Sequence, residues 1–356
     1  MTRLIMLCAA LLIAAEAHAQ KIKILFPITA VDESYAPPVV AKEVGYFKEE
    51  GLEVEFIPTA GGNQVMLQIA ANNGDIGFIS PGNVIAGIQP SVGMRIQAFY
   101  NVYYRNIWTI SVLPDSPVKS VAELRGKKLG VASMGSSGVQ YGKAYLAKAG
   151  VEIGKDGTSF LPIGVGAQGA AALRGKQVDA VVYWDAMLAK LEVAGLKLRQ
   201  LPADEVVASI PDVTMTTQID NIEKRPQMLI GVGRALAKGF VFNQANREAA
   251  VRIVWKQFPE SKPRNMSEAD ALKAAMYVNE ARMKIWEPPN NGKYGSFIEK
   301  DYKNVVAFAK EYGIIPQSAD APLDKLYTNK FIDEINKFDR EAVKKQAASF
   351  DMGSLK

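Results

Sequence analysis

Residues 133–138, SMGSSG, lie between a short apolar run at 129–132 and helix-forming residues that continue to Gly150. A serine and glycine elbow between a strand and a helix can present a nucleophile, cradle a phosphate or cap the helix. A nucleophile elbow needs glycine two places either side of the serine, and a base to take its proton. Ser136 has Gly138 ahead but Met134 behind, and Ser137 has Gly135 behind but Val139 ahead. A phosphate loop of the Walker type needs Gly-Lys followed by Ser or Thr, whereas Gly142-Lys143 is followed by Ala144 inside the helical pattern. What remains is a helix N-cap with room above it for an anion or a polar group.

The inventory narrows the chemistry further. Arg3, an apolar run of about a dozen residues at 4–15 and Ala17-His18-Ala19 read as a secretory signal peptide cleaved after Ala19, too short to span a bilayer. That segment holds Cys8 and His18, the only cysteine and the only histidine. From Gln20 onward, disulfides, thiolate nucleophiles, Ser-His triads and Cys/His zinc sites are therefore excluded. The net charge of +5 is scattered without a basic run, so no nucleic-acid face is expected. About 335 mature residues exceed what one compact core usually handles, and two lobes are expected.

The elements that would position such loops are duplicated. Residues 61–80 lie on 165–184 at an offset of 104, placing Gln64 on Gln168 and Asp75 on Asp179. In each copy a glycine-containing loop leads into a helix, and an aspartate precedes a strand, at 76–79 and 180–183. Apolar strands at 22–26 and 129–132, and at 52–57 and 158–163, complete the match, with Phe56 meeting Phe160. The connections are too long for hairpins, so each unit is expected to be an α/β lobe with a mostly parallel sheet and right-handed crossovers. Extended crossings at about 107–112 and 213–218 would form a two-stranded hinge. The mainly helical remainder, at 228–245, 246–257, 267–284 and 296–312, would pack back on the first lobe, with Ser267 as an N-cap. The expected division is residues 20–110 with 216–356, and 111–215.

Ligands in open parallel sheets bind beyond the carboxyl ends of the strands. The loops there, 29–35, 59–64 and 80–83 from one lobe and 133–138, 164–168 and 183–185 from the other, offer hydroxyls, glycines, amides and aromatics. That set suits a compact solute and offers few acid-base catalysts. Asp32 and Asp185 are candidate polar contacts that also fit as helix caps. Tyr183 and Trp184 alternate along a strand, so one faces the core, with Trp184 assigned to the cleft. Tyr35, Tyr103, Tyr104 and Trp108 could stack on a flat ligand, and Arg105 is the one charged candidate near a crossing.

The segment AKEVGYFKEEGLEVEFIPTAGG (41–62), the turn Gly74 to Gly77, and GAQGAAALRGKQVDAVVYWDA (166–186) resemble the periplasmic solute-binding proteins of ATP-driven importers. The likeness is to the branch that includes nitrate, sulfonate, taurine and thiamine-precursor binders. It implies a type II-like, two-lobed clamp that closes on one small solute without catalysis or cofactor, works as a monomer and presents its cargo to a membrane permease and its ATPase. By that resemblance the contacts fall on Ser34, Tyr35, Ser80, Asn83, Ser136, Ser137, Gly138, Gln168, Trp184 and Asp185. The expected ligand is a small organic anion, such as a taurine-like sulfonate or an aromatic carboxylate. A neutral pyrimidine-like ring is the alternative, and an exported enzyme using Asp32 and Asp185 is the alternative of another class.

Overall fold

The computed structural model describes residues 19–289 and 292–354; the signal-peptide assignment, at 1–19, falls almost wholly outside them. The chain runs through β1 (Gln20–Phe26), α1 (Ala36–Glu43), β2 (Leu52–Pro58), α2 (Gly62–Ala70), β3 (Ile76–Ile79), α3 (Pro81–Gly87) and β4 (Ile96–Asn101). It then crosses to β5 (Trp108–Val112), β6 (Lys128–Val131), α4 (Ser137–Lys148), β7 (Ser159–Pro162), α5 (Gly166–Arg174), β8 (Ala180–Trp184), α6 (Asp185–Val193) and β9 (Arg199–Gln200). It returns as β10 (Thr214–Gln218), followed by the longer helices α7 (Pro226–Ala245), α8 (Arg247–Gln257), α9 (Glu268–Met283), α10 (Glu299–Glu311) and α11 (Arg340–Ala348).

Two five-stranded sheets result, ordered β2-β1-β3-β10-β4 and β7-β6-β8-β5-β9. In each, the fourth strand is antiparallel to both neighbours and the other four run parallel. The duplication is reproduced in register. Ile24 pairs with Phe56 and Ile76, and Leu129 pairs with Phe160 and Ala180. The repeated aspartates do the same work in both copies. Asp75 accepts from the Lys23 amide (2.8 Å) and Asp179 from the Lys128 amide (2.9 Å), each holding the start of its strand against the central one. A carboxylate at this corner satisfies a backbone donor that the ladder leaves open.

The division expected at 110/111 and 215/216 falls inside β5 and β10, each of which pairs within one sheet only. The change of sheet lies instead at 102–107 and 201–213. The helices after β10 pack on the first sheet's side, with α1 against α7 and α8. The sequence-based expectation is incomplete for α9, which also packs on α6 of the second half. Ser267 caps α9 as expected, accepting from the Asp270 amide at 3.1 Å. Among the described residues no helix is long and apolar enough to cross a membrane.

Candidate functional site

A cavity of about 480 Å³ opens between the sheets at the carboxyl ends of their strands. The first half lines it with residues 27–30 after β1, 59–62 after β2 and Ile79-Ser80 at the end of β3; the second half lines it with Ala132, Ser133, Ser136 and Ser137, residues 164–166, Gln168 and Trp184. The crossings line it as well, with Tyr103 and Ile107 from one, followed by Trp108 at the start of β5, and Asp212 and Val213 from the other. The two halves touch beside it: Ser133 Oγ donates to the Ala60 carbonyl (3.3 Å) and Ser137 Oγ to Asn83 Oδ1 (3.5 Å). Gly61 has φ +125°, and a Cβ there would stand 3.1 Å from the Gly135 carbonyl oxygen, so a side chain would hold these loops apart.

Three helix N-termini contribute lining residues: Gly62 of α2, Ser137 of α4 and Gly166 of α5. The first amides of an α-helix have no intrahelical acceptor, and with the helix dipole they favour a negative or hydrogen-bond-accepting group. Ser136 is the N-cap of α4, accepting from the Gly138 amide at 3.2 Å. The elbow is thus a cap, and Ser136 and Ser137 both face the cavity.

Of the ten residues assigned from sequence, Tyr35, Ser80, Ser136, Ser137, Gln168 and Trp184 line the cavity. Trp184 faces it while Tyr183 is buried, its hydroxyl donating to the Gly164 carbonyl (2.6 Å). The other four do not line it. Ser34 is fully buried, with its hydroxyl donating to Asp32 Oδ1 at 2.5 Å. Asn83 lies behind the wall, accepting from Ser80 Oγ (2.7 Å) and donating to Asn63 Oδ1. Gly138 lies under the Trp108 indole, where a Cβ would come within 2.7 Å of the ring. Asp185 turns to Arg282 instead. Arg105 is exposed, and Tyr104 contacts Gly295 rather than the cavity.

The charged groups that do line the cavity come mostly from places the loop reading did not include. Arg282 of α9, 1% exposed, donates from Nε and Nη2 to Asp185 Oδ1 (2.9 and 2.5 Å) and from Nη1 to the Tyr103 hydroxyl (2.5 Å). Lys190 of α6 meets Asp32 at 2.7 Å. Burial works to raise the pKa of Asp32, but the charge and hydrogen bond of Lys190 and the hydrogen bonds of Ser34 outweigh it and hold the carboxyl below its ordinary value. Both pairs join one half to the other. Asp32 and Asp185 are thus each engaged by a cation of the opposite half.

Asp212 is different. It is 1% exposed, and its Oδ2 accepts from Trp108 Nε1 at 2.8 Å. Burial pushes its pKa up to about 7, against the pull of Tyr141, Trp108 and Arg282. Trp108 in turn stands edge-on to Trp184, with ring centroids 5.4 Å apart, so the two indoles and the carboxylate form one wall. Sequence position gave no signal for Arg282, Lys190 or Asp212, because each reaches the site through contacts about 100 or more residues away in the chain or from the far end of a helix.

The alkanesulfonate-binding protein SsuA of Xanthomonas axonopodis pv. citri, bound to MOPS, superimposes with a TM-score of 0.64 at 16% identity, over 83% of this chain and 94% of that one. A Bordetella bronchiseptica RB50 structure matches with a TM-score of 0.69 at 21% identity, over 90% of this chain and 98% of the other. The fold is shared with an enzyme too, the desulfurization enzyme DszB, with a TM-score of 0.56 at 14% identity over 89% and 98%. Among curated sequences, the putative binding protein YtlA of Bacillus subtilis (strain 168) is 44% identical over 45 residues, which is 13% of this chain and 14% of that protein's length. The family described as NMT1/THI5 like matches residues 32–250. The two sheets joined by two crossings form the periplasmic binding protein fold, and the chain belongs to the NMT1/THI5 like family.

Proposed function

We propose that this protein is the periplasmic solute-binding component of an ABC-type importer, delivering a small organic acid to a membrane permease and its ATPase. The halves act as lobes that hinge at 102–107 and 201–213, and solute contacts from both sides favour the closed arrangement. The observation that carries the reading is the meeting of three helix N-termini, from both halves, over an aromatic-walled cavity. The two lining cations are occupied by Asp32 and Asp185, so helix amides and the hydroxyls of Ser136 and Ser137 are the groups that would hold the acid. The apolar body of the solute would lie against Trp108 and Trp184. A neutral heterocycle is the second reading, favoured by the paired indoles of Trp108 and Trp184.

The test is calorimetry and thermal unfolding of the mature protein with a panel of alkyl and aryl sulfonates, aromatic carboxylates and pyrimidines. Binding at 1:1, stabilisation growing as RT ln(1 + [L]/Kd) and an unchanged ligand are expected. Chemical conversion of the bound compound would overturn the proposal. Ser137→Ala should weaken binding of an acid and leave the unliganded fold intact.

A further inference from the structure

The two copies of the repeat use their matched glutamines differently. In the first copy Gln64 Oε1 accepts from the Ala60 amide at 2.7 Å, which ties the loop after β2 to the first turn of α2. In the second copy Gln168 is exposed, lines the cavity and has no hydrogen bond among the described residues. Its loop is held by another group, since the Tyr183 hydroxyl donates to the Gly164 carbonyl at 2.6 Å. The position matching Tyr183 in the first copy is Ile79, which has no hydroxyl to offer. The packing differs to suit. Val65 of α2 lies over Gly77 of β3, where a Cβ would stand 2.3 Å from Val65 Cγ1. At the matching positions the sizes are exchanged: Gly169 stands for Val65 and Val181 for Gly77, and a Cβ at Gly169 would come within 2.1 Å of the Tyr183 hydroxyl oxygen. Gly169 thus makes the room through which the phenol reaches the Gly164 carbonyl. Gly164 has φ +70°, and a Cβ there would stand 2.4 Å from Gln168 Oε1, so glycine lets that amide rest against the loop.

Resting on the solute-binding reading, we infer that Tyr183 is a positioning residue for the solute: by holding the Gly164 carbonyl it leaves the side-chain amide of Gln168 unspent, and that amide contacts the solute. A loop that enters a helix needs partners for its backbone groups. Gln64 supplies one in the first copy with its own amide, whereas Tyr183 supplies one in the second from the strand. A primary amide offers two donors and an acceptor, so Gln168 serves an acid through its N–H groups and a ring nitrogen or ring N–H equally well. Without the hydroxyl, the Gly164 peptide can turn its N–H to Gln168 as Ala60 does to Gln64, which draws the amide out of the cavity.

The experiment is a double-mutant cycle on the mature protein, with Tyr183→Phe and Gln168→Ala alone and together. Affinity is measured by calorimetry for whichever of ethanesulfonate, benzenesulfonate, benzoate and 2-methylpyrimidine binds the unsubstituted protein most tightly. Q168A is expected to weaken binding roughly 5- to 20-fold, the effect of losing about one hydrogen bond. Y183F is expected to weaken it by a similar factor when Gln168 is present and to change it less than about twofold in the Q168A background. A tyrosine that only supports the fold would weaken binding by the same factor in both backgrounds, and that result overturns the inference, as does unchanged affinity in either single variant. Thermal unfolding without ligand reports whether Y183F is folded. If it is not, Gly164→Ala, which pushes directly on Gln168 Oε1, takes its place in the cycle with the same expected dependence on Gln168. In each of these failures the unsubstituted protein still binds and the solute-binding reading stands. If none of the four probes binds, the reading falls and the inference with it.

Discussion

Replacing Asp212 with asparagine should stabilise the unliganded protein by an amount that grows with pH. Its carboxyl titrates at about 7 in the folded chain against 3.8 ordinarily. A raised carboxylate pKa means that the folded state holds a proton the unfolded state has lost, so stability falls as pH rises between the two values. At roughly 1.4 kcal/mol per unit, the penalty is about 2 kcal/mol at pH 5 and about 4 kcal/mol at pH 8, where nearly all of the shift is expressed. Asparagine removes the titration, so the gain from D212N should increase by roughly 2 to 3 kcal/mol from pH 5 to pH 8. The change with pH is more informative than the gain at any one pH, because the amide brings its own contacts. Tyr141, Trp108, Arg282 and Asp185 surround the group, and Asp185 is a second carboxyl that burial pushes above its ordinary value. Urea unfolding of both proteins at half-unit intervals measures the difference. A stability gap that stays flat across this window would refute the claim that the carboxylate is buried and poorly compensated.

Arg282→Met should cost about 3–5 kcal/mol, because it leaves Asp185 in the wall without its charge partner; denaturant unfolding measures it, and a loss under 1 kcal/mol would count against the pair. Lys190→Met should flatten the acid limb of stability. The depressed pKa of Asp32 contributes stability that is present above 3.8 and lost as pH falls through the lower folded value, and a wild-type acid slope persisting in the variant would contradict the assigned cause. Gly138→Ala should cost about 1–3 kcal/mol, since its Cβ would meet Trp108 ring carbons at 2.7 and 2.8 Å and the Val182 carbonyl at 3.2 Å. An effect within 0.5 kcal/mol would mean that Trp108 yields freely.

The duplicated lobes were legible because their signals are local. Helix α2 and strand β3 recur as α5 and β8 at the offset of 104 found in the sequence, down to the first residue of each. The repeated aspartates mark those corners for a backbone reason that any such strand start shares. The cavity's loops were legible too, since topology alone places them at strand ends. What stayed hidden were the side chains whose position depends on how the lobes meet. Asp185 follows a strand as a capping residue would, yet it lies at the first turn of α6 and answers an arginine 97 residues later. Gly138 completes a Ser-Ser-Gly elbow that looks built for a ligand, but its missing side chain makes room for an indole.

The distribution of charge argues that closure and recognition use different groups. Lys190 with Asp32 and Arg282 with Asp185 each join a residue of one half to a residue of the other, as does the hydrogen bond from Tyr277 to Glu192 at 2.5 Å. Opening the cleft would separate these partners and rehydrate them, so their net contribution to closure is smaller than their contact geometry suggests. They fix the angle at which the halves meet more than the strength with which they hold. In the proposed clamp, solute binding would supply the differential free energy that favours the closed form, through groups that act only when both halves face it. The helix amides at Gly62 on one side and at Ser137 and Gly166 on the other meet that requirement, since each half alone offers only part of the donor set.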